Sequence, residues 1–438
     1  MVYIEWAGGG AVFDSLRKRS DTQFECRYRH PFITGSFDIN RVGSNCSSPR
    51  EVYNSDIGEC FVPKGPPDDS LNCQGPSKSQ GNPLDISLGN KFQSETDYSM
   101  AGGLGFIRYY NSIDGRWRHG YSSRVDASSW RVVVAEATGR EINFTKPSSA
   151  MTLPLVRLTQ ASDAWLLDTP KGRSYFDLSG KLLSQQLSSG LLLKFVYTND
   201  GAVHVADERG HSLKYTQDSN GKLTKLEAEG VFLFYEYSEA GQLTAVKGTV
   251  HGISKARNYF YGDVRNPSLL TGISDERGVR YATWTYDESG RAISSEHADG
   301  ADRIEVTYND DGSSTVTNEL GKKATYHFQT IQGIKRITAI EGEPSPNCPN
   351  SNSTFTYDDR GLLKTKTDNK GIVTTYDYNE RGLEVSRTEA SGTAQARTVT
   401  TEWHPSLYLP LAVTEPDRIT RFQYDDQGRQ LSRTVENR

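Results

Sequence analysis

From Gly81 onward the chain is built of short runs in which apolar and polar residues take turns, broken every few residues by Gly, Asn, Asp or Pro. Gly81-Asn82-Pro83 predicts a turn, Leu84 to Leu88 alternates, and Gly89-Asn90 predicts the next turn. Phe106, Arg108 and Tyr110 alternate with Ile107, Tyr109 and Asn111, a pattern suited to a strand covered on both faces. Trp117, Tyr121 and Val125 continue the β texture, as do Arg131 to Ala135 and Leu153 to Leu158. No stretch sustains the 3.6-residue apolar period with caps that an amphipathic helix needs, so the pattern predicts an all-β chain with scarce helix. Residues 1–80 differ: periodicity is weak, Gly8-Gly9-Gly10 interrupts it, and Asn45 to Gln80 is rich in Pro, Gly, Ser and Asp. That segment is expected to be an irregular head and linker.

Beyond residue 171 the pattern repeats. An aromatic residue is followed four positions later by Gly, with acids or Asn between, in Phe176 to Gly180, Tyr197 to Gly201, Tyr237 to Gly241, Tyr286 to Gly290, Tyr308 to Gly312, Tyr357 to Gly361, Tyr378 to Gly382 and Tyr424 to Gly428. Tyr215 to Gly221 is a longer variant and Tyr261-Gly262-Asp263 a degenerate one. From Tyr197 to Tyr326 the tyrosines step by 18, 22, 24, 25, 22 and 18 residues. A second marker falls between them, as in Asp207-Glu208-Arg209-Gly210, Asp275-Glu276-Arg277-Gly278, Asn318-Glu319-Leu320-Gly321 and Asp368-Asn369-Lys370-Gly371. Each period thus holds two tight turns and two strand-length runs, which makes one repeat one hairpin. Asp accepts bonds from nearby backbone N–H groups and Gly reaches positive φ, as such turns demand. The tyrosine is expected at the strand end, its ring on the neighbouring repeat and its hydroxyl near water. A single hairpin is marginal alone, so about ten of them must pair edge to edge, and the resulting long antiparallel sheet must curl because sheets twist.

Composition narrows the reading further. Net charge is -5 over 438 residues with acids and bases interspersed, so no nucleic-acid-binding patch is indicated. Mean hydropathy is -0.63 and no run approaches the length of a spanning helix, so no membrane span is expected. No secretory signal stands at residues 1–24, yet Cys26, Cys46, Cys60 and Cys73 crowd the head, leaving Cys348 apart. Spacings of 20, 14 and 13 amid loop-forming residues point to two disulfides of open connectivity, and hence to an oxidising, secreted or cell-surface setting. A metal site is the rival, but it lacks a CxxC pair and has only His30 nearby.

The repeats resemble those of the Rhs and YD-repeat proteins. Tyr286-Asp287-Glu288-Ser289-Gly290-Arg291, Tyr357 to Leu362 and Tyr424-Asp425-Asp426-Gln427-Gly428-Arg429 carry the likeness. Upstream, Gly81-Asn82-Pro83-Leu84-Asp85, Gly89-Asn90-Lys91, Glu95-Thr96-Asp97-Tyr98 and Leu104-Gly105-Phe106 with Arg108 to Ser112 are similar to the domain that commonly precedes such repeats. The organisation implied is a head at 1–80, a leader β-domain at 81–170 and a repeat array at 171–438. The resemblance implies a hollow β-shell in a bacterial polymorphic toxin or surface protein, enclosing or presenting a toxin. Its partners would be a further shell or toxin polypeptide. The Asp-Pro-x-Gly core of that family is absent and the chain ends ten residues after Gly428, so a truncated or split member is expected.

Nothing in the sequence assembles a catalytic constellation. The acid pairs Asp358-Asp359 and Asp425-Asp426 recur where turns need them, and Asn309-Asp310-Asp311-Gly312 lacks the Glu of a calcium loop. The eight His are isolated, and Ala101 to Gly105 lacks the Lys-Ser/Thr of a phosphate cradle. No enzyme activity, cofactor or metal is expected. The alternative function is carbohydrate binding at a cell wall, since rows of Tyr, Trp and Asn on a β-surface can stack on sugars.

Overall fold

A computed structural model describes residues 46, 48, 50–54, 59–67, 75–100, 103–128, 131–145, 150–343 and 351–438, with the backbone alone of Val12–Lys18, Gln23–His30 and Ile33–Asn40. The chain divides into two compact units, Met1–Val62 and Pro63–Arg438. In the first, the three backbone strands form an antiparallel sheet, and Val52–Asn54 pairs with Glu59–Phe61. A disulfide joins Cys46 to Cys60, with Cα atoms 5.7 Å apart. The side chain of Cys26, and Cys73 and Cys348 altogether, lie outside the described residues.

In the second unit almost every described residue is strand or turn, the exception being a single 3-10 turn at Ala298–Gly300. The leader contributes a five-stranded sheet from Ser79–Gln80 to Arg116–His119, whose longest strand is Asn90–Ser99, and a three-stranded sheet from Arg124 to Thr145. The rest is one antiparallel sheet of 27 strands in strict chain order, from Ala150–Leu153 to Gln430–Asn437. Its first strands precede the first Tyr/Phe-to-Gly motif, using Leu155 at φ 62 in the first turn instead.

This sheet winds into a spiral. The turn joining its first two strands meets the turn joining its twenty-second and twenty-third, where the Leu155 N–H donates to the Arg381 carbonyl at 2.9 Å. The turn after the fifth strand meets the turn before the last, with Gln186 Nε2 donating to the Gln427 carbonyl at 2.8 Å. Both contacts set one revolution at twenty-one strands. At ~4.8 Å per strand that is a circumference of roughly 100 Å and a bore of about 32 Å between backbones. The leader lies against the inner face of this wall. Its contacts bear this out: Tyr121 stacks edge-on against Phe195 on the sixth wall strand, and Ser87 accepts a bond from Lys335 on the nineteenth. Alternate wall residues on that face are buried, among them Leu193, Tyr215, Leu233, Tyr259 and Trp284.

Candidate functional site

The repeated turn takes one form at most of the positions where Asp or Asn opens it, the Asn309 turn being an exception. At Asp358 the backbone N–H donates to the Leu362 carbonyl at 2.9 Å, Gly361 N–H donates back to Asp358, and one carboxylate oxygen accepts from Arg360 and Leu362 N–H at 3.1 and 2.8 Å. Gly361 sits at φ 77, where a side chain would be strained. The same bonds recur at Asp287 and Asp425, and at the second markers Asp207, Asp275, Asp368 and Asn318. In the remaining motifs, Gly201, Gly241, Gly290, Gly312, Gly382 and Gly428 lie between φ 72 and 86. Tyr197, Tyr237, Tyr286, Tyr308, Tyr357, Tyr378 and Tyr424 each end a strand.

The tyrosine hydroxyl does more than face water. Tyr197, Tyr308 and Tyr357 donate to the carbonyls of Leu182, Ala292 and Ile337 on the preceding strand, and Tyr286 to that of Leu270 in the loop before the strand Gly272–Ser274, at 2.6 to 2.8 Å. Leu182, Ala292 and Ile337 lie at bulges in the register. A bulge takes a carbonyl out of the ladder, and the phenol satisfies it. Burial pushes the Tyr197 and Tyr357 hydroxyls up to about 12, keeping them donors. This explains why the motif opens on Tyr: the ring packs and the hydroxyl caps the previous hairpin.

The acids noted in the sequence are absorbed by the turns. Asp311 accepts from Ser313 N–H and Oγ within its own loop, at 2.9 and 2.6 Å. The Cys46 and Cys60 sulfurs, which lie with Glu51 in one group, are bonded to each other and so are not thiolate ligands.

The densest polar chemistry lies where the leader meets the wall, at residues whose alternation alone predicts a solvated face. On the strand Asn90–Ser99, Lys91, Gln93, Glu95 and Asp97 look like the wet side of an alternating strand, yet Lys91, Gln93 and Glu95 are buried and Asp97 nearly so. Lys91 Nζ donates to the carbonyls of Asn82 and Phe92 and to Gln93 Oε1 at 2.6 to 2.7 Å, and lies 4.1 Å from the Trp284 ring centre. Desolvation holds its pKa well below the usual lysine value. Gln93 passes a bond to Glu95, whose other oxygen pairs with Arg257 of the wall at 2.5 Å. Asp97 takes Arg108 Nε and Nη2 at 2.5 and 2.8 Å and Tyr235 of the wall at 2.7 Å, while Arg108 also reaches Tyr259 at 2.9 Å. Burial opposes the charge on Arg108, but Asp97 and its hydrogen bonds outweigh it and hold the guanidinium ionised. The Tyr235 phenol is pushed up, first by burial and then by Asp97. Trp117 and Trp284 close the interface by donating to Tyr261 Oη and the Asn82 carbonyl at 2.9 and 2.8 Å.

A family model described as RHS Repeat matches residues 357–394, where the turns after Tyr357 and Tyr378 lie, and a second, Domain of unknown function (DUF6531), matches residues 81–144. The chain carries an RHS repeat. The RHS match falls within the 27-stranded sheet, and the DUF6531 match falls on the leader. Among solved structures, the chain is similar to the one described as Crystal Structure of TcdB2-TccC3-TEV, with 13% identity and a TM-score of 0.39 over 79% of this chain and 19% of that one. It is also similar to the Photorhabdus luminescens Tc holotoxin pore with the TccC3-D651A mutation, with 13% identity and a TM-score of 0.33 over 95% of this chain and 25% of that one. The chain thus spans about a fifth to a quarter of the length of these solved chains. No curated protein matches it. No helix among the described residues is long and apolar enough to cross a membrane.

Proposed function

We propose that this Rhs chain is a non-enzymatic wall segment of a secreted or surface-exposed shell, whose bore encloses or presents a toxin polypeptide outside this chain. The observation that carries the reading is where the leader stops. It covers the inner face of the wall as far as Ile334–Glu343. On the same face of the later strands, register places Tyr376, Trp403 and Phe422, all only half-buried. A sheet face with half-buried aromatic residues that no described leader residue covers suits a further polypeptide. The test is protease protection. A polypeptide encoded downstream in the same locus and co-expressed with this chain is expected to resist proteinase K until the wall is unfolded by denaturant. Digestion at equal rates with and without the chain would sink the reading.

Glycan binding at a cell surface is a second reading, favoured by Phe232 and Phe234. They are 38% and 46% exposed, with ring centres 5.0 Å apart, on the opposite face of strand Val231–Tyr237. Retention on purified peptidoglycan that is lost in Phe232→Ala/Phe234→Ala supports it, and no retention above background excludes it.

A further inference from the structure

We infer that His119 is a proton-sensitive keystone of the leader–wall contact, seated where only a neutral imidazole fits, so that protonation opens the leader at that point. His119 ends the leader strand Arg116–His119 and is 6% exposed. Its ring lies against Phe106 of the neighbouring leader strand, with centres 5.4 Å apart, and against Tyr215 of the wall at 4.7 Å. Across the junction, Gln217 of the wall points its amide nitrogen at His119 Nε2, at 3.2 Å. The same nitrogen donates to the Gly221 carbonyl at 2.8 Å, and this fixes which end of the amide faces the ring. Turned over, Gln217 would set its own oxygen against that carbonyl. His119 Nε2 is therefore the acceptor, and the ring proton sits on Nδ1, which has no acceptor among the described residues.

A protonated imidazole donates from both nitrogens. Here Nε2–H would meet the N–H groups of Gln217, and Nδ1–H would meet no lone pair. The faces of Phe106 and Tyr215 attract a cation but offer neither N–H an acceptor. The neighbouring carboxylates are engaged elsewhere. Asp97 holds Arg108, which stands opposite His119 in the leader register, and Asp114 holds Arg118. Asp218, just past the wall strand Ser212–Gln217, accepts from the N–H groups of Asn220 and Lys222. The Tyr121 and Tyr215 phenols are pushed up by burial and stay neutral. Desolvation accordingly lowers His119 to about 4, from an ordinary value of 6.5. Because the folded value lies below the unfolded one, the contact is at full strength above pH 6.5 and weakens as pH falls towards 4. Between pH 8 and pH 5 the equilibrium for openings that expose His119 rises about 30-fold.

Hydrogen exchange of the full chain, corrected for intrinsic rates, measures this. Wild-type peptides from 105–119 should open about 30-fold more at pH 5 than at pH 8. In His119→Phe, whose ring occupies the aromatic site and takes no proton, the same peptides should lose most of that ratio, whatever their absolute protection. Gln217→Glu presents an oxygen to Nε2, accepts the protonated ring and should shrink the ratio in the same way, so the idea stays testable if the Phe variant folds poorly. A ratio that persists in either folded variant, or wild-type leader peptides that open equally at the two pH values, would overturn the proposal.

Discussion

Replacing Tyr197, Tyr286, Tyr308 and Tyr357 by Phe removes four hydroxyls and leaves every ring in place. Each hydroxyl donates to one carbonyl of the preceding repeat, three of them at bulges where the ladder offers no partner and the fourth, Leu270, in a loop. A typical hydrogen bond contributes about 1 kcal/mol net, and a stranded partner adds to the cost. Tyr286 and Tyr308, the closest pair, stand two strands apart, which is ~10 Å and far enough for near-additivity. The quadruple variant should therefore lose roughly 4 kcal/mol and each single variant about 1 kcal/mol. The measurement is urea unfolding followed by far-UV circular dichroism, with equal slopes required for the comparison. A second limb comes from alkali. Burial raises Tyr197 and Tyr357 to about 12, above the unfolded value near 10, so folding favours the protonated phenol. Their stabilisation is whole below pH 10 and is lost as pH climbs from about 10 to 12. The Phe variant should show a shallower alkaline loss. A quadruple variant within about 1 kcal/mol of wild type, with an unchanged alkaline limb, would refute the carbonyl-capping role.

Two further outcomes separate kinds of constraint. Gly361→Ala should cost about 1 kcal/mol by thermal unfolding, since its φ is 77 but its added Cβ meets nothing nearer than Arg336 Nε at 3.5 Å. Gly248→Ala should cost several times more, because the Cβ would stand 1.9 Å from the Phe232 carbonyl oxygen; equal costs would contradict this. Trp284→Ala should cost about 3–5 kcal/mol, removing a fully buried ring, its bond to Asn82 and the face over which Lys91 lies. A loss under 1.5 kcal/mol in denaturant titration would mean that the leader is not seated as described.

Much of the wall was legible because its rules are local. Asp358 and Gly361 announce their turn through chemistry contained within five residues, and the repetition of Tyr357, Tyr378 and Tyr424 fixes strand length and antiparallel pairing. The spiral's bore was not legible, because it depends on twist accumulated over many strands, with no residue assigned to it. The leader–wall site was hidden for a different reason. Lys91, Glu95 and Asp97 are polar at alternate positions, which on one strand signals a wet face; only the distant Arg257, Tyr235 and Trp284 make that face an interior. The tyrosine hydroxyls were misplaced toward water because the bulge that strands a carbonyl shows in the register and leaves no mark in composition. The Cys46–Cys60 bridge selects one of the pairings that spacing left open.

The meeting of turns at the seam has an arithmetic side. Strands run up and down in alternation, so turns on one rim fall between odd and even strands and those on the other rim between even and odd. Tip can sit on tip only if a revolution contains an odd number of strands, and twenty-one satisfies this. Duplication of a whole hairpin preserves that parity wherever it occurs, while gain or loss of a single strand would set every tip of the next revolution over a gap. A gene that grows by one repeat unit at a time therefore never has to solve the problem of fit at the seam. Inserted within the first revolution, however, a unit would slide the later coil by two strand widths, ~10 Å, against the earlier one. Growth is free only past the first revolution.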